Sequence, residues 1–239
     1  MEKYIQVYHD ILSQEKCQYF IDKFEFDLEN QEVQNNANDA TLTQINLLHS
    51  PDTIWKEDND FITKILMENV IRYRNDCDVK PYQWPEKFNF EPPKIKRYLP
   101  DTTDEFPEHV DVLDHETARR FLVMFIYLNS NVGGETELPL KSQYDNHKFH
   151  KFVSHCTQGS ILIFPPLWPW IHAGRKELPT RTDGYRICVG PDRRGQSSLG
   201  VDVHGWRILT FGASAFPHRL HVGDCYNDLC DAQSRRASK

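Results

Sequence analysis

Apolar positions along the chain change their period near residue 93. Before it, two stretches carry a helical stripe. Cys17, Phe20, Ile21 and Phe24 recur at three- and four-residue spacing, which puts them on one face of a helix. Ser13 precedes them as an N-cap, and Glu15 and Lys16 lie in the first turn, as a helix start prefers. Trp55, Phe61, Ile62, Ile65, Leu66, Val70 and Tyr73 predict a second helix through about Asp76. Ser50-Pro51-Asp52 opens it, with Pro51 at an early position where a missing N–H costs nothing. Tyr4 to Tyr8 alternates and reads as a strand, and Thr41 to Leu48 as a shorter one. Residues 25–40 are acidic and Asn/Gln-rich without a period, which predicts a loop, and Pro81 to Pro93 reads as an irregular lead-in.

Beyond it the helical period disappears. Lys94–Leu99, Phe106–Val112, Arg120–Asn129, Glu135–Pro139, Phe152-Val153, Gly159–Pro166 and Arg186–Val189 are short strand-like runs separated by Gly, Pro and Asp turns. Arg120–Asn129 is apolar nearly throughout, so its strand is expected to be buried on both faces. The pattern predicts an all-β core with a helical annex: a double-stranded β-helix, or jelly roll, flanked by N-terminal α-helices.

With 239 residues the chain is long enough for one structural domain with a sizeable core. By its pattern of elements it divides into a support region over 1–93, a core over 94–190 and a divergent extension over 191–239. A net charge of −7 argues against nucleic acid as the partner. No stretch has the length and apolarity of a signal peptide or a membrane span, so no membrane is expected and the cytoplasm is the expected location. None of the six cysteines forms a CxxC pair, and free thiols are expected.

The candidate chemistry lies in His109-Val110-Asp111 and His172. In an extended segment residues i and i+2 share a face, so His109 and Asp111 point into one space. Two imidazoles and a carboxylate form the facial triad of non-haem Fe(II) oxygenases, which leaves coordination positions open. An HxD pair alone is a weak signal; the order of elements around it makes it specific. A Tyr98 strand precedes HxD. An Arg120-started apolar strand ending Tyr127-Leu128 follows, then Gly133-Gly134-Glu135-Thr136, then a Gly159-Ser160 strand, then His172.

In that order Tyr98 to Gly174 resembles the catalytic core of the Fe(II)/2-oxoglutarate-dependent dioxygenases, in the prolyl 4-hydroxylase-like branch. The resemblance implies His109, Asp111 and His172 as iron ligands, Tyr98 and Thr136 as hydroxyls touching 2-oxoglutarate, Arg120 near a peptide-substrate groove, and Tyr127 as a wall of the co-substrate pocket. The far carboxylate of 2-oxoglutarate needs a fixed cation, for which the arginine fork is suited. Arg181, nine residues after His172, fits the family's spacing; Arg186, fourteen after it, opens the apolar strand and is preferred, with Lys176 third. The implied activity is hydroxylation of an unactivated C–H, on a peptidyl proline, another protein side chain or a small molecule. It uses Fe(II), 2-oxoglutarate and O2, with ascorbate as reductant, and releases succinate and CO2.

From Gly190 the resemblance stops. Asp192 to Ser198 is loop-like, Val201 to Phe211 offers another strand or two, and Ser234 to Lys239 reads as a solvated tail. His204, His218, His221, Cys225 and Cys230 fit no zinc spacing. Two other readings stay open: a catalytically silent jelly roll used for binding, and a cupin-like metalloenzyme that does not use 2-oxoglutarate.

Overall fold

The structure is a computed structural model that describes residues 2–35, 40–48, 54–100, 103–115, 117–131, 133–141, 149–175, 186–189 and 206–209. In chain order these form β1 (Gln6–Tyr8), α1 (Gln14–Phe26), β2 (Glu32–Gln34), β3 (Leu42–Asn46), α2 (Lys56–Asp76), β4 (Phe88–Phe90), β5 (Lys94–Tyr98) and β6 (Phe106–His109). There follow β7 (Arg120–Tyr127), β8 (Thr136–Lys141), β9 (Phe149–Ser154), β10 (Ile161–Phe164), β11 (His172–Gly174), β12 (Arg186–Val189) and β13 (Trp206–Leu209).

Among the described residues the strands form two sheets. The larger has the order β1-β10-β7-β12-β5-β3-β2, with β13 running parallel to both β7 and β4. The smaller is antiparallel, in the order β6-β11-β8-β9. The arrangement is a β-sandwich with two helices on one face.

Strand β7 carries the division between the two cores. Leu122, Met124, Ile126 and the following Leu128 pack with Phe20, Phe24, Ile62, Leu66 and Val70 of the helices. Val123, Phe125 and Tyr127 point the other way, toward Phe106 and Leu138 of the smaller sheet. Strand β10 repeats the division, with Ile161 and Ile163 on the helix side and Leu162 and Phe164 between the sheets. This is the two-faced burial expected of Arg120–Asn129. Each such side chain contributes roughly 1.5–3 kcal/mol on burial. A one-residue slip would exchange the two sets, so the register is fixed from both sides.

The helices are held by their ends. Ser13 Oγ accepts from the Lys16 N–H at 3.2 Å, the expected cap. Asp58, in the first turn of α2, accepts from Tyr19 at 3.0 Å and from Lys23 at 2.5 Å, with Lys16 at 3.4 Å. A carboxylate there also favours the helix dipole. Trp55 is buried and its Nε1 donates to Asp27 at 2.6 Å.

Several local expectations need correction. The segment from Glu25 is not all loop: α1 runs to Phe26, a 3-10 turn covers Leu28–Asn30, and β2 pairs with β3. The irregular lead-in contains β4, whose partner β13 lies more than a hundred residues away in sequence. Tyr4 ends a 3-10 turn, so the first strand is only Gln6–Tyr8. Helix α2 begins at Lys56, after Trp55; Ser50-Pro51-Asp52 lies outside the described residues. Cys17, Cys77 and Cys156 are buried and form no disulfide among the described residues. No helix among the described residues is long and apolar enough to cross a membrane.

Candidate metal centre

The smaller sheet brings the two histidines together. Strands β6 and β11 are antiparallel, and His109 and His172 are Cα partners across them. Directly paired residues place their side chains on the same face, and the ring centroids are 4.1 Å apart. His172 opens its strand instead of following one, because the 3-10 turn Trp168–Trp170 delivers it there. Asp111 lies two residues past His109, and its N–H donates to the Pro166 carbonyl at 3.2 Å, which ties its loop to the segment leading to His172.

Each imidazole is oriented by its own backbone. His109 Nδ1 lies 2.7 Å from the Pro107 carbonyl and His172 Nδ1 lies 3.2 Å from the Trp170 carbonyl. A carbonyl only accepts, so Nδ1 carries the proton and Nε2 presents a lone pair, the form that ligates a metal. His109 Nε2 is 3.6 Å from Asp111 Oδ1 and His172 Nε2 is 3.2 Å from Asp111 Oδ2. Neither approach has hydrogen-bond geometry: both Nε2 atoms and Asp111 Oδ2 are buried without a hydrogen-bond partner. One ligand atom from each of the three residues lies within 4.8 Å of the others.

Orphaned polar atoms of this kind are costly in a protein interior. Three of them converging, each with a lone pair, fit a divalent cation that takes two nitrogens and an oxygen. The side chains around them are aromatic. Phe106 lies 3.9 Å from the His109 ring and Phe164 lies 4.8 Å from the His172 ring, centroid to centroid. Burial pushes the His109 imidazole down to about 4, and the neighbouring His172 ring adds to that, against the pull of Asp111. Burial alone would raise the Asp111 carboxyl, but the facing imidazoles of His172 and His109 hold it well below the usual carboxylate range. Both groups thus stand in their metal-binding forms near neutral pH.

The other residues singled out from the sequence lie at different places. Tyr98 is buried between the sheets. Thr136 is buried too, and its Oγ1 accepts from the Tyr127 hydroxyl at 2.8 Å, with Ser154 Oγ 3.4 Å from the same hydroxyl. The backbone of Arg186 opens β12 at the register position opposite Tyr98. Arg181 and Lys176 lie outside the described residues, as do His204, His218, His221, Cys225 and Cys230. Arg120 is only 6% exposed; its guanidinium bonds Glu91 and the Asp111 carbonyl, so it does not stand open at a groove.

Sequence reasoning missed Glu91 and Ser154. Ser154 had no clear signal, because its strand, Phe149–Ser154, does not alternate. Glu91 had none either, because its partner Arg120 is distant in sequence.

No protein-family model and no curated protein sequence matches the chain. Solved structures do match it. A viral collagen prolyl hydroxylase from Paramecium bursaria Chlorella virus-1, in complex with 2-oxoglutarate, aligns with a TM-score of 0.52 at 19% identity, over 78% of this chain and 92% of that one. A prolyl hydroxylase from Trichoplax adhaerens, in complex with a hypoxia-inducible-factor peptide fragment, aligns at 0.55 and 13% identity, over 78% and 81%. A non-haem α-ketoglutarate-dependent carbocyclase of nogalamycin biosynthesis aligns at 0.53 and 12% identity, over 79% and 78%. The chain shares the fold of these proteins.

Proposed function

We propose that the chain is an Fe(II)- and 2-oxoglutarate-dependent dioxygenase of the prolyl 4-hydroxylase-like branch, with its two sheets arranged as a jelly roll. The observation that carries this reading is the convergence of His109, Asp111 and His172 as three buried, partnerless ligand atoms. The fold shared with two prolyl hydroxylases and a carbocyclase supports it.

In this reading the two Nε2 atoms and the Asp111 carboxylate hold iron. The bound metal, with 2-oxoglutarate and O2, supplies the oxidising chemistry that converts a C–H to a C–OH with release of succinate and CO2; ascorbate is the reductant we assign. The protein supplies position, a dry pocket and electrostatics. The carbonyls of Pro107 and Trp170 keep the imidazoles in the ligating tautomer. Phe106, Phe125 and Phe164 exclude water from the ligands. Arg186 anchors the far carboxylate of the co-substrate; its register position opposite Tyr98 is the support for choosing it over Arg181. Tyr98 and Thr136 contribute hydroxyls beside it. The substrate is a peptidyl residue, proline first, as the peptide complex of the Trichoplax hydroxylase favours. A small-molecule substrate is the second reading, favoured by the fold likeness to the carbocyclase.

The test is succinate release from 2-oxoglutarate with Fe(II) and ascorbate, for the parent chain and for His109→Ala. Turnover by the parent and its loss in the variant is the expected result. Absence of iron binding would instead favour a silent binding module. Iron binding without any response to 2-oxoglutarate would favour a cupin-like metalloenzyme.

A further inference from the structure

The carboxylate ligand is held from behind, through its peptide group. The Asp111 N–H donates to the Pro166 carbonyl at 3.2 Å, and the Asp111 carbonyl accepts from Arg120 Nη1 at 2.9 Å. Arg120 is itself gripped by Glu91, with Nε donating to Oε1 at 3.0 Å and Nη2 to Oε2 at 3.2 Å. This is a two-bond fork, and both side chains are buried. Glu91 directly follows β4 and Arg120 opens β7, so the pair joins the large sheet to the loop that carries Asp111.

The same loop is stiffened at its other end. Thr117 Oγ1 accepts from the N–H groups of Leu113 and Asp114 at 2.9 and 3.0 Å, and the Arg120 N–H donates to the Thr117 carbonyl at 3.0 Å. The bonds converge on the backbone between Asp111 and Arg120.

A buried ion pair is a poor source of stability, because desolvating both charges offsets most of their attraction. Its planar, bidentate geometry instead gives direction. Groups that orient metal ligands from outside the coordination shell govern affinity strongly. We infer that Arg120, oriented by Glu91, is a positioning residue for Asp111 and sets the affinity of the centre for a divalent ion. The inference rests on the metal-centre reading above. It gives Arg120 a task under the ligand in place of one in a substrate groove.

The test compares the parent chain with Glu91→Gln, Arg120→Lys, the pair Glu91→Leu/Arg120→Met, and Arg97→Met. The last breaks the separate Arg97–Glu25 ion pair. Two quantities are read without turnover: Co(II) affinity by calorimetry, and thermal unfolding of the metal-free protein. The single variants at Glu91 and Arg120 should bind Co(II) about ten- to a hundredfold more weakly. The double variant should melt near the parent, because apolar replacement of a buried pair is tolerated, and yet stay weak for Co(II). Arg97→Met should keep the parent affinity. A double variant that melts like the parent and binds Co(II) like the parent would overturn the inference, since the pair would then only fill space. If the double variant does not fold, folded Glu91→Gln and Arg120→Lys with parental affinity overturn it equally, as does an Arg97→Met loss of the same size. A parent chain that binds no divalent ion overturns the metal-centre reading along with it, so the two failures are told apart.

Discussion

His109 and His172 stand opposite each other in register across β6 and β11, and each lends its Nδ1 proton to the carbonyl two residues before it. One backbone device, used twice, turns both Nε2 lone pairs toward Asp111. Strand pairing thus sets the two imidazoles, while Asp111 is held through its loop by the Pro166 carbonyl and Arg120.

The first expected outcome concerns acid. The unfolded His109 imidazole titrates at its ordinary 6.5, while burial holds the folded one at about 4. Between those values the unfolded chain binds the proton and the folded chain does not, so stability falls as pH drops through that window. The loss is roughly 3 kcal/mol. Asp111, also depressed, extends the loss in the same direction at lower pH. Urea midpoints of the metal-free protein across this range measure it, and His109→Gln should flatten the slope. An unchanged slope in that variant would place the titrating group elsewhere.

A second outcome separates the two arginines. Arg186→Ala should weaken 2-oxoglutarate binding to the Fe(II)-loaded protein by tenfold or more, about 1.4 kcal/mol or above, and Arg181→Ala should leave it near the parent value. Binding titrations under argon give both numbers. The reverse order would move the anchor to Arg181.

Gly159 should be irreplaceable. Its φ is +73°, and an added Cβ would overlap the Leu12 carbonyl oxygen. Its own carbonyl accepts from the Ile11 N–H at 2.8 Å and its N–H donates to Tyr127 at 2.8 Å. Gly159→Ala combines an unfavourable backbone conformation with a clash against main chain, and should cost about 2 kcal/mol or more. Chemical denaturation of the two proteins checks it; a cost near zero would mean the N-terminal segment moves aside freely.

Cys17 should be chemically silent in the folded state. The side chain is fully buried, and burial pushes its thiol up to about 11 against a hydrogen bond from the Gly159 backbone. Iodoacetamide reacts with thiolate, so mass-mapped alkylation of Cys17 should follow unfolding and not the native protein. Rapid native labelling at that site would contradict the packing of α1.

How much of this was legible in the sequence depended on range. Period and polarity located α1, the body of α2 and the two-faced strand β7, because those signals are local. His109, Asp111 and His172 were legible as candidates from residue type and order, and the structure brings them together. What escaped was non-local. Among the described residues strand β4 pairs with β13, far away in sequence, and the fork between Arg120 and Glu91 joins residues with no periodic relation. An arginine at the head of an apolar strand reads as a surface residue or a ligand contact until its buried acid is found.

The division at residue 93 is one of hydrophobic period, and the hydrogen-bond ladder ignores it. Strand β1 closes one side of β10, and β3 covers one side of β5. A fragment starting at Lys94 would leave both strands with bare N–H and C=O rows, and the helix-facing side of β7 open to water. Exposed rows of that kind recruit other chains. The shortened protein should therefore aggregate, however complete its three ligands remain; in the full chain β1 and β3 cover those rows and the helices cover that face.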